Sequence, residues 1–335
     1  MALLYMEGFD HYGDVADVNR FWSAQNDANV TLATGRTSGK ALEIGAVSRR
    51  QYLNFPLTVT IVVGFACKYA AGGTNPISIR EIAGFMANGS DQLDIILNTT
   101  GTLGIRRGST VLGTSTATMS TSWSYVEVKV LFSQTVGTID MQINGASEIS
   151  DTSLDTMQTT IVGATSFYID GDGAADPTFD DIYILDTTGS DNTDFLGDVT
   201  VETLYPTGAG NSTDWSPSAG ANWENVDDGA SPDDDSTYNS ETTAADHDSY
   251  VMGDISQNVD TVFGVSVINH CRKEEAGFRE VACMFREGGG DIFGTAQAMS
   301  TDFRYQAEIF ENDQGGSDWT ETTVNAMEAG IRLDT

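Results

Sequence analysis

Closely spaced carboxylates are the residues of this sequence with the clearest capacity for chemistry. Asp170, Asp172 and Asp176 are separated by glycine and alanine, and Asp180 and Asp181 follow shortly after them. Carboxylate oxygens at this spacing are ligands that Ca²⁺ prefers. The segment lacks the third aspartate and the terminal glutamate of an EF-hand loop, so a turn between strands is the favoured interpretation. No metal site is assigned: Ca²⁺ at Asp170, Asp172 and Asp176 stays a candidate, and no other cofactor is expected.

Two carboxylates about 5–10 Å apart could instead act as acid and base in glycoside hydrolysis. Retaining glucanases with lectin-like sandwiches place them on one strand as E-x-D-x-x-E or E-x-D-x-E, where alternate residues share a face. Neither order occurs here, and the nearest candidate has Glu127 followed by Lys129. The sequence therefore predicts no catalytic residues and a chain that is not an enzyme. A carboxylate pair outside these motifs stays open as an alternative.

Histidines and aromatic residues give two further candidates. The chain has only three histidines, which are far apart in sequence: His11, His247 and His270. A catalytic or metal centre built on clustered histidines is therefore not expected. Three aromatic residues lie in a polar tract, and they could form a sugar-binding platform or anchor a long loop to its own domain: Trp215, Trp223 and Tyr238.

The composition limits the partners of the chain. Its 335 residues include 16 Lys+Arg and 49 Asp+Glu, a formal net charge of −33. This charge repels nucleic acid phosphates and anionic membrane surfaces, so neither is an expected partner. No run of about 20 apolar residues is present, and the N-terminal residues lack the basic start of a secretory signal. Hydrophobic residues make up 40% of the chain, which is enough to bury a core.

The dominant hydrophobic period is two residues, which indicates β-strands. In Tyr125–Phe132 the side chains predicted to point outward include Glu127 and Lys129, and those predicted to point inward are Val126, Val128, Val130 and Phe132. Asn144-Gly145 follows another alternating segment and predicts a tight hairpin turn. Gly, Asn, Ser and Thr interrupt such segments every 8–12 residues, a spacing typical of β-sandwiches and jelly rolls. Other predicted strands are 2–6, 78–85, 92–97, 102–106, 158–169 and 180–186.

The polar tract 186–200 predicts a boundary between two β-domains in tandem. The first spans 1–197, and the second, more acidic one spans 198–335. A strand is predicted at 199–205, immediately after the boundary. The following tract, 206–248, is rich in Gly, Ser, Asp and Asn, and its aromatic residues predict an ordered excursion pinned to a surface. The predicted fold class is all-β, with two jelly-roll-like β-sandwiches.

Several segments resemble concanavalin A-like (LamG-like) jelly rolls of tailed-phage proteins and the second β-domain that follows them there. In the first domain these segments are Met6–Tyr12, Trp123–Val130, Gly137–Gly145 and Phe179–Asp186. The resemblance continues through the boundary and into the second domain, at Asp186–Pro206, Asn222–Asp228, Asp248–Tyr250, Thr301–Tyr305 and Trp319–Ile331. Together these segments run over most of the chain.

The resemblance implies a non-enzymatic structural protein of a tailed bacteriophage virion, displayed on its surface after assembly in the bacterial cytoplasm. It would be a fibre, whisker or spike appendage that could contact the host surface, or alternatively a capsid decoration (cement) protein. Expected partners are capsid, neck or tail proteins and further copies of the chain, with a host-surface glycan as another possibility. A carbohydrate-binding lectin module is the remaining alternative.

Overall fold

A computed structural model describes residues 2–24, 29–45, 49–69, 78–171, 176–257 and 259–335. The chain is almost entirely β, with 51% strand and 4% helix. The predicted all-β fold class is therefore confirmed. Among the helices described, none has the length and apolar character needed to cross a membrane.

By its internal contacts the chain forms two compact units. The first unit contains Met1–Asp10 and Trp22–Val201, and the second contains His11–Phe21 and Glu202–Thr335. The chain therefore enters the second unit early, returns to the first, and enters the second again. The domain boundary between 197 and 198 stays a prediction.

The first unit contains fifteen strands within the described residues. In chain order they are β1 (Leu3–Glu7), β2 (Ser23–Ala24), β3 (Val30–Thr34), β4 (Lys40–Ile44), β5 (Arg49–Thr58), β6 (Thr60–Tyr69), β7 (Arg80–Ala87), β8 (Ser90–Leu97), β9 (Thr102–Arg107), β10 (Thr110–Thr118), β11 (Ser124–Leu131), β12 (Gly137–Ile143), β13 (Ala146–Leu154), β14 (Ala164–Gly171) and β15 (Pro177–Leu185). All the pairings between them are antiparallel.

These strands form two sheets around one core. The eight-stranded sheet has the order β13-β12-β11-β6-β15-β4-β3, with β1 also paired to β15. The seven-stranded sheet has the order β10-β9-β8-β7-β14-β5-β2. The rings of Phe65 and Phe167 meet between the sheets with centroids 6.2 Å apart, and Phe85 meets Phe132 at 5.9 Å. Fully buried aromatic side chains of this kind dominate the stability of a sandwich core.

The alternating pattern explains why these residues form strands. Val126, Val128 and Val130 are fully buried, which confirms the prediction that their side chains point inward. After β12 the backbone turns at Asn144 and Gly145, which have φ angles of 52° and 74°. Both angles are left-handed, as a type I′ hairpin turn demands, and Asn-Gly is the pair that tolerates them best.

Where the structure describes the second unit, it has ten strands and three short helical segments. They are the helix α1 (Val15–Val18), β16 (Pro206–Thr213), β17 (Ser216–Pro217), a 3₁₀ turn (Asn222–Asn225), β18 (Asn239–Ser240), β19 (His247–Met252), β20 (Val265–Cys271), β21 (Glu280–Glu287), β22 (Gly290–Phe293), β23 (Gln297–Ala298), β24 (Arg304–Phe310), the helix α2 (Glu321–Asn325) and β25 (Glu328–Leu333). A six-stranded sheet has the order β16-β19-β25-β21-β22, with β23 paired to β21. The strands β20 and β24 form a separate antiparallel pair.

The core of the second unit lies between the β20–β24 pair and the six-stranded sheet. Val267 of β20 packs with Cys283 and Phe285 of β21. Trp319 closes this cluster, with its ring 5.0 Å from that of Phe285 and its indole N–H donating to the carbonyl of Phe310 at 2.8 Å. The buried indole thereby satisfies its one polar group.

Two strand predictions are wrong. The tract 199–205 forms no strand, and the backbone N–H of Val201 bonds to the Asp181 side chain instead of to a neighbouring strand. The strand predicted at 158–169 begins only at Ala164. Residues before it form a loop held by Gln92, which accepts from the N–H groups of Gln158 and Thr159 at 2.9 and 2.8 Å.

Candidate functional site

The Ca²⁺ candidates lie at the end of β14 and the start of β15. Asp170 is buried near the end of β14, and Asp176 precedes β15 with a left-handed φ of 32°. Asp172 lies outside the described residues. Across the parts of the chain that are described, no three His, Cys, Asp or Glu side chains are grouped so that they could hold a metal ion. Ca²⁺ binding in this segment therefore stays a prediction.

A row of residues across the outer face of the eight-stranded sheet contains Glu127. Four neighbouring strands each contribute one residue to this row, and each residue pairs with the next: Tyr183 of β15, Gly64 of β6, Glu127 of β11 and Gln142 of β12. The Tyr183 ring lies over Gly64, and its hydroxyl donates to Glu127 Oε1 at 2.5 Å. A Cβ atom on Gly64 would come within 2.1 Å of the Tyr183 ring. We call these four residues the sealed row.

The sealed row is covered by residues 194–201, which we call the strap. The N–H of Gly197 donates to Glu127 Oε1 at 2.9 Å, and the N–H of Leu196 donates to the Tyr183 hydroxyl at 3.1 Å. Glu127 points outward as predicted, but it is only 1% exposed because the strap lies on it. Its carboxylate therefore anchors the chain's own backbone.

Arg36 holds the end of the strap. Its guanidinium binds Asp181 at 2.7 Å, Asp198, and the carbonyl of Val199 at 2.5 Å. Asp181 in turn accepts from the N–H of Val201 at 2.8 Å. A β-bulge in β15, with Asp181 at a left-handed φ of 51°, sets this geometry.

Three carboxyl groups of this region have raised pKa values. Burial, followed by the charge of Asp181, raises the pKa of Asp180 to about 8. Burial raises the pKa of Asp10 to about 6 and also raises that of Asp181. Perturbed carboxyls often mark functional sites. Here their oxygens accept backbone N–H bonds, from Arg36 to Asp180 at 2.7 Å for instance, which favours a structural role.

The strap makes a direct prediction for Glu127. Glu127→Ala removes the acceptor for Gly197 and Tyr183, and a buried group without its partner costs about 1–3 kcal/mol. We expect limited proteolysis within 194–201 to become about tenfold faster, since 1.4 kcal/mol is one factor of ten. Asp140→Ala on the same sheet, which removes a bond to Ser150, is the matched control. Unchanged cleavage in Glu127→Ala would show that the carboxylate does not hold the strap.

A second row, on the outer face of the seven-stranded sheet, repeats this construction. Five neighbouring strands each contribute one residue, and each residue pairs with the next: Tyr52 of β5, Tyr168 of β14, Gly84 of β7, Asp94 of β8 and Arg106 of β9. The Tyr168 hydroxyl reaches across Gly84 and donates to Asp94 Oδ1 at 2.8 Å. A Cβ atom on Gly84 would lie 2.5 Å from that hydroxyl. We call these five residues the open row.

Tyr168 and Asp94 in the middle of the open row are buried, at 0% and 4% exposure, and solvent reaches only the charged side chains at its end. Arg106 donates from Nε and Nη2 to Asp94 Oδ2 at 3.1 and 2.8 Å, and from Nη2 to Glu81. The side chains of Arg106 and Glu81 are 21% and 28% exposed. Burial raises the pKa of Asp94, and the bond from Arg106 opposes that rise. The open row therefore offers a guanidinium and a carboxylate held side by side at the surface.

Sequence reasoning did not identify the open row. Its residues come from five strands, and only the strand register brings them together. A glycine inside an alternating strand was the available signal, since such a glycine often marks close approach of another group. Gly84 and Gly64 both follow that rule.

The aromatic residues of the polar tract 206–248 do not share one role. Trp215 packs against the core of the second unit and donates its indole N–H to the carbonyl of Asp246 at 3.2 Å. Its backbone N–H donates to the buried Asp248 at 2.9 Å. Tyr238 is 42% exposed, while Trp223 is partly buried in the 3₁₀ turn. Trp215 is therefore an anchor of the excursion.

Segment His11–Phe21 is fastened within the second unit by Arg20. Its Nη1 and Nη2 atoms donate to the two carboxylate oxygens of Asp234 at 2.9 Å each, a bidentate pair. Nη1 also lies 2.7 Å from Nε2 of His270. Burial, followed by the charge of Arg20, lowers the pKa of His270 to about 4, so its neutral ring can accept this bond at pH 7.

No family model and no curated protein matches the sequence. Among solved structures, the chain is similar to an endo-β-1,4-glucuronan lyase from Trichoderma reesei, with 14% identity and a TM-score of 0.43 over 55% of this chain and 95% of that one. It is similar to alginate lyase Aly36B, with 10% identity and a TM-score of 0.41 over 53% and 95%. It is also similar to a Trypanosoma rangeli sialidase, with 9% identity and a TM-score of 0.35 over 47% of this chain and 27% of that one.

These likenesses concern the fold alone. They nevertheless correct the prediction that the chain is not an enzyme, because the similar structures include polysaccharide lyases and a sialidase. The absence of two glucanase motifs was too narrow a ground for excluding catalysis, since one fold carries many chemistries.

Proposed function

We propose that this chain is a structural protein of a tailed bacteriophage virion, displayed on the particle surface. The observation that carries the proposal is where the segments resembling phage proteins lie in the fold. Three of these segments supply most of β11 (Trp123–Val130), most of β15 (Phe179–Asp186) and the strap (within Asp186–Pro206). Hydrogen bonds at Glu127 and Tyr183 join them to one another. The resemblance therefore covers one continuous piece of structure.

The charge distribution supports an exposed position. With a net charge of −33, copies of the chain repel one another and remain dispersed before assembly. Binding residues often lie on long loops that a rigid β-scaffold holds in place. In the second unit, the Asp248 carboxylate holds such a segment in place by accepting hydrogen bonds from Trp215, Asn222 and Tyr250. Assembly of a particle uses repeated symmetric contacts, so several copies are expected.

Two positions on the particle fit these properties. A tail or neck appendage would be present in a few copies and would direct its outermost segments at the host. A capsid decoration protein would occupy the head lattice in hundreds of copies. We favour the appendage, because segments projecting from a scaffold suit contact with a host surface.

Cryo-electron microscopy of purified particles of a phage that encodes the chain tests the proposal. We expect density for both β-units, with three, six or twelve copies at the neck or tail. Hundreds of copies on the capsid would replace the appendage by the decoration protein and retain a virion role. Absence of the chain from purified particles, checked by mass spectrometry of the same sample, would refute the proposal.

A further inference from the structure

We propose that one end of the first unit is a surface through which two copies of the chain pair. Four apolar side chains on three different segments of the chain are exposed there. They are Leu57, Val59, Val136 and Val162, which are 55%, 43%, 63% and 50% exposed. We call these four residues the apolar end. A contiguous group of exposed apolar side chains, unlike a single one, marks a surface that another molecule covers.

The three segments that carry the apolar end meet one another. The N–H of Phe132, which begins the connection between β11 and β12, donates to the carbonyl of Val59 at 3.0 Å. The segment before β14 reaches the same place, because a Cβ atom on Gly163 would lie 3.0 Å from Cδ1 of Leu57. Val162 immediately precedes that glycine. The four side chains therefore share one end of the sandwich.

Hydrogen bonds within the first unit hold these segments in place. The N–H of Val136 donates to Ser133 Oγ at 3.1 Å, and the N–H of Ser133 donates to the Thr156 hydroxyl at 2.9 Å. The side chain of Gln92 donates to the carbonyl of Ile161 at 2.6 Å. Little conformational entropy would therefore be lost when a partner covers the apolar end. The contact it offers is mainly apolar, which a second identical surface can match.

The segments that form the apolar end carry no charged side chain. Residues 51–67, 130–139 and 156–169 include no Asp, Glu, Lys or Arg, although the chain has a net charge of −33. Asp155, which borders the last of these segments, is paired with Arg107 at 2.5 Å. A basic partner would gain most from the acidic parts of the surface. A partner of like charge needs an uncharged surface for close approach.

A second copy of the chain is the partner that fits both properties. It has the same net charge of −33, and its own apolar end is equally apolar and uncharged. A two-fold axis would place these two surfaces face to face, with every contact repeated by symmetry. Repulsion between the remaining charges keeps copies dispersed when they are dilute, and salt screens that repulsion. The inference does not depend on a place in a virion, because it rests on the first unit and on the charge of the chain.

Sedimentation equilibrium of the full chain, over a series of concentrations, tests the pairing. It is run at low salt and at about 0.5 M NaCl, where the screening length falls to about 4 Å. Val136→Asp and Leu57→Asp each place a like charge on both facing surfaces, at positions that are more than half exposed. Val251→Asp is the matched control, because Val251 is 40% exposed and lies on β19 of the second unit. Circular dichroism checks that each variant is folded.

We expect the unaltered chain to form a species of twice its own mass, with a dissociation constant at least threefold lower at high salt. Val136→Asp and Leu57→Asp should each raise that constant at least tenfold, while Val251→Asp changes it less than twofold. The proposal is overturned if the chain stays monomeric at both salt concentrations, or if the control is as harmful as the other two variants. A monomeric chain that instead binds phosphatidylcholine vesicles, and loses this binding in Val136→Asp, would assign the surface to a lipid partner and equally overturn it.

Discussion

The first unit should be less stable at pH 8.5 than at pH 5.5, because folding raises the pKa of Asp180 to about 8. An unfolded aspartate has a pKa near 3.8, so between these values the folded chain holds a proton that the unfolded chain has released. The contribution of Asp180 to the free energy of unfolding is therefore greatest below pH 4, and it falls as the pH rises towards 8. Asp10 and Asp181 act in the same direction.

The expected loss is several kcal/mol, since each pKa unit corresponds to about 1.4 kcal/mol. Hydrogen–deuterium exchange measures the stability of the first unit separately from that of the second when peptides from β6 and β15 are monitored. The exchange is recorded in urea at both pH values and corrected for the intrinsic exchange rates. In Asp180→Asn the difference between the two pH values should shrink by at least half, because the group no longer titrates. A first unit equally stable at both pH values, or more stable at pH 8.5, would contradict the assignment.

Gly64→Ala should destabilise the first unit by about 3 kcal/mol, at the upper end of the cost of overpacking. The added Cβ atom would lie 2.1 Å from Cε1 of Tyr183. That ring cannot move aside easily, because its hydroxyl bonds to Glu127 and to the N–H of Leu196. Urea denaturation followed by circular dichroism measures the loss.

Gly208→Ala is the control for this substitution. Gly208 also lies in a strand, but its nearest neighbour to an added Cβ atom is 4.0 Å away, at Val251. We expect a change within about 0.5 kcal/mol, as for most surface substitutions. If Gly64→Ala were equally mild, the tyrosine would not be fixed over the glycine as the hydrogen bonds indicate. The double variant Gly64→Ala/Tyr183→Ala should recover part of the loss if the clash is its cause.

Strand positions could be read from the sequence because burial on one face imposes a period of two. Tyr125–Phe132 is the clearest case, since its valines are buried in the order predicted. The alternation also placed Glu127 on the outer face. It could not show that a tract some 70 residues later would cover that face, since the cover depends on side-chain acceptors for backbone N–H groups.

The same limit explains the wrong strand at 199–205. Local sequence character does not identify the bonding partner of a backbone N–H. For Val201 that partner is the Asp181 carboxylate. The open row was hidden for a related reason, because it is defined by the register of five strands and by no contiguous motif.

Segment His11–Phe21 sets the order in which the molecule can be completed during synthesis. Asp234 and His270, which hold its Arg20, are translated more than 200 residues after it. At usual rates of synthesis the segment waits on the order of tens of seconds for them. The first unit, whose last residue is Val201, can fold during that interval. We therefore expect a nascent chain that stalls after the first unit to display one folded sandwich and an unpaired segment His11–Phe21, which proteases that clear incomplete products could cleave.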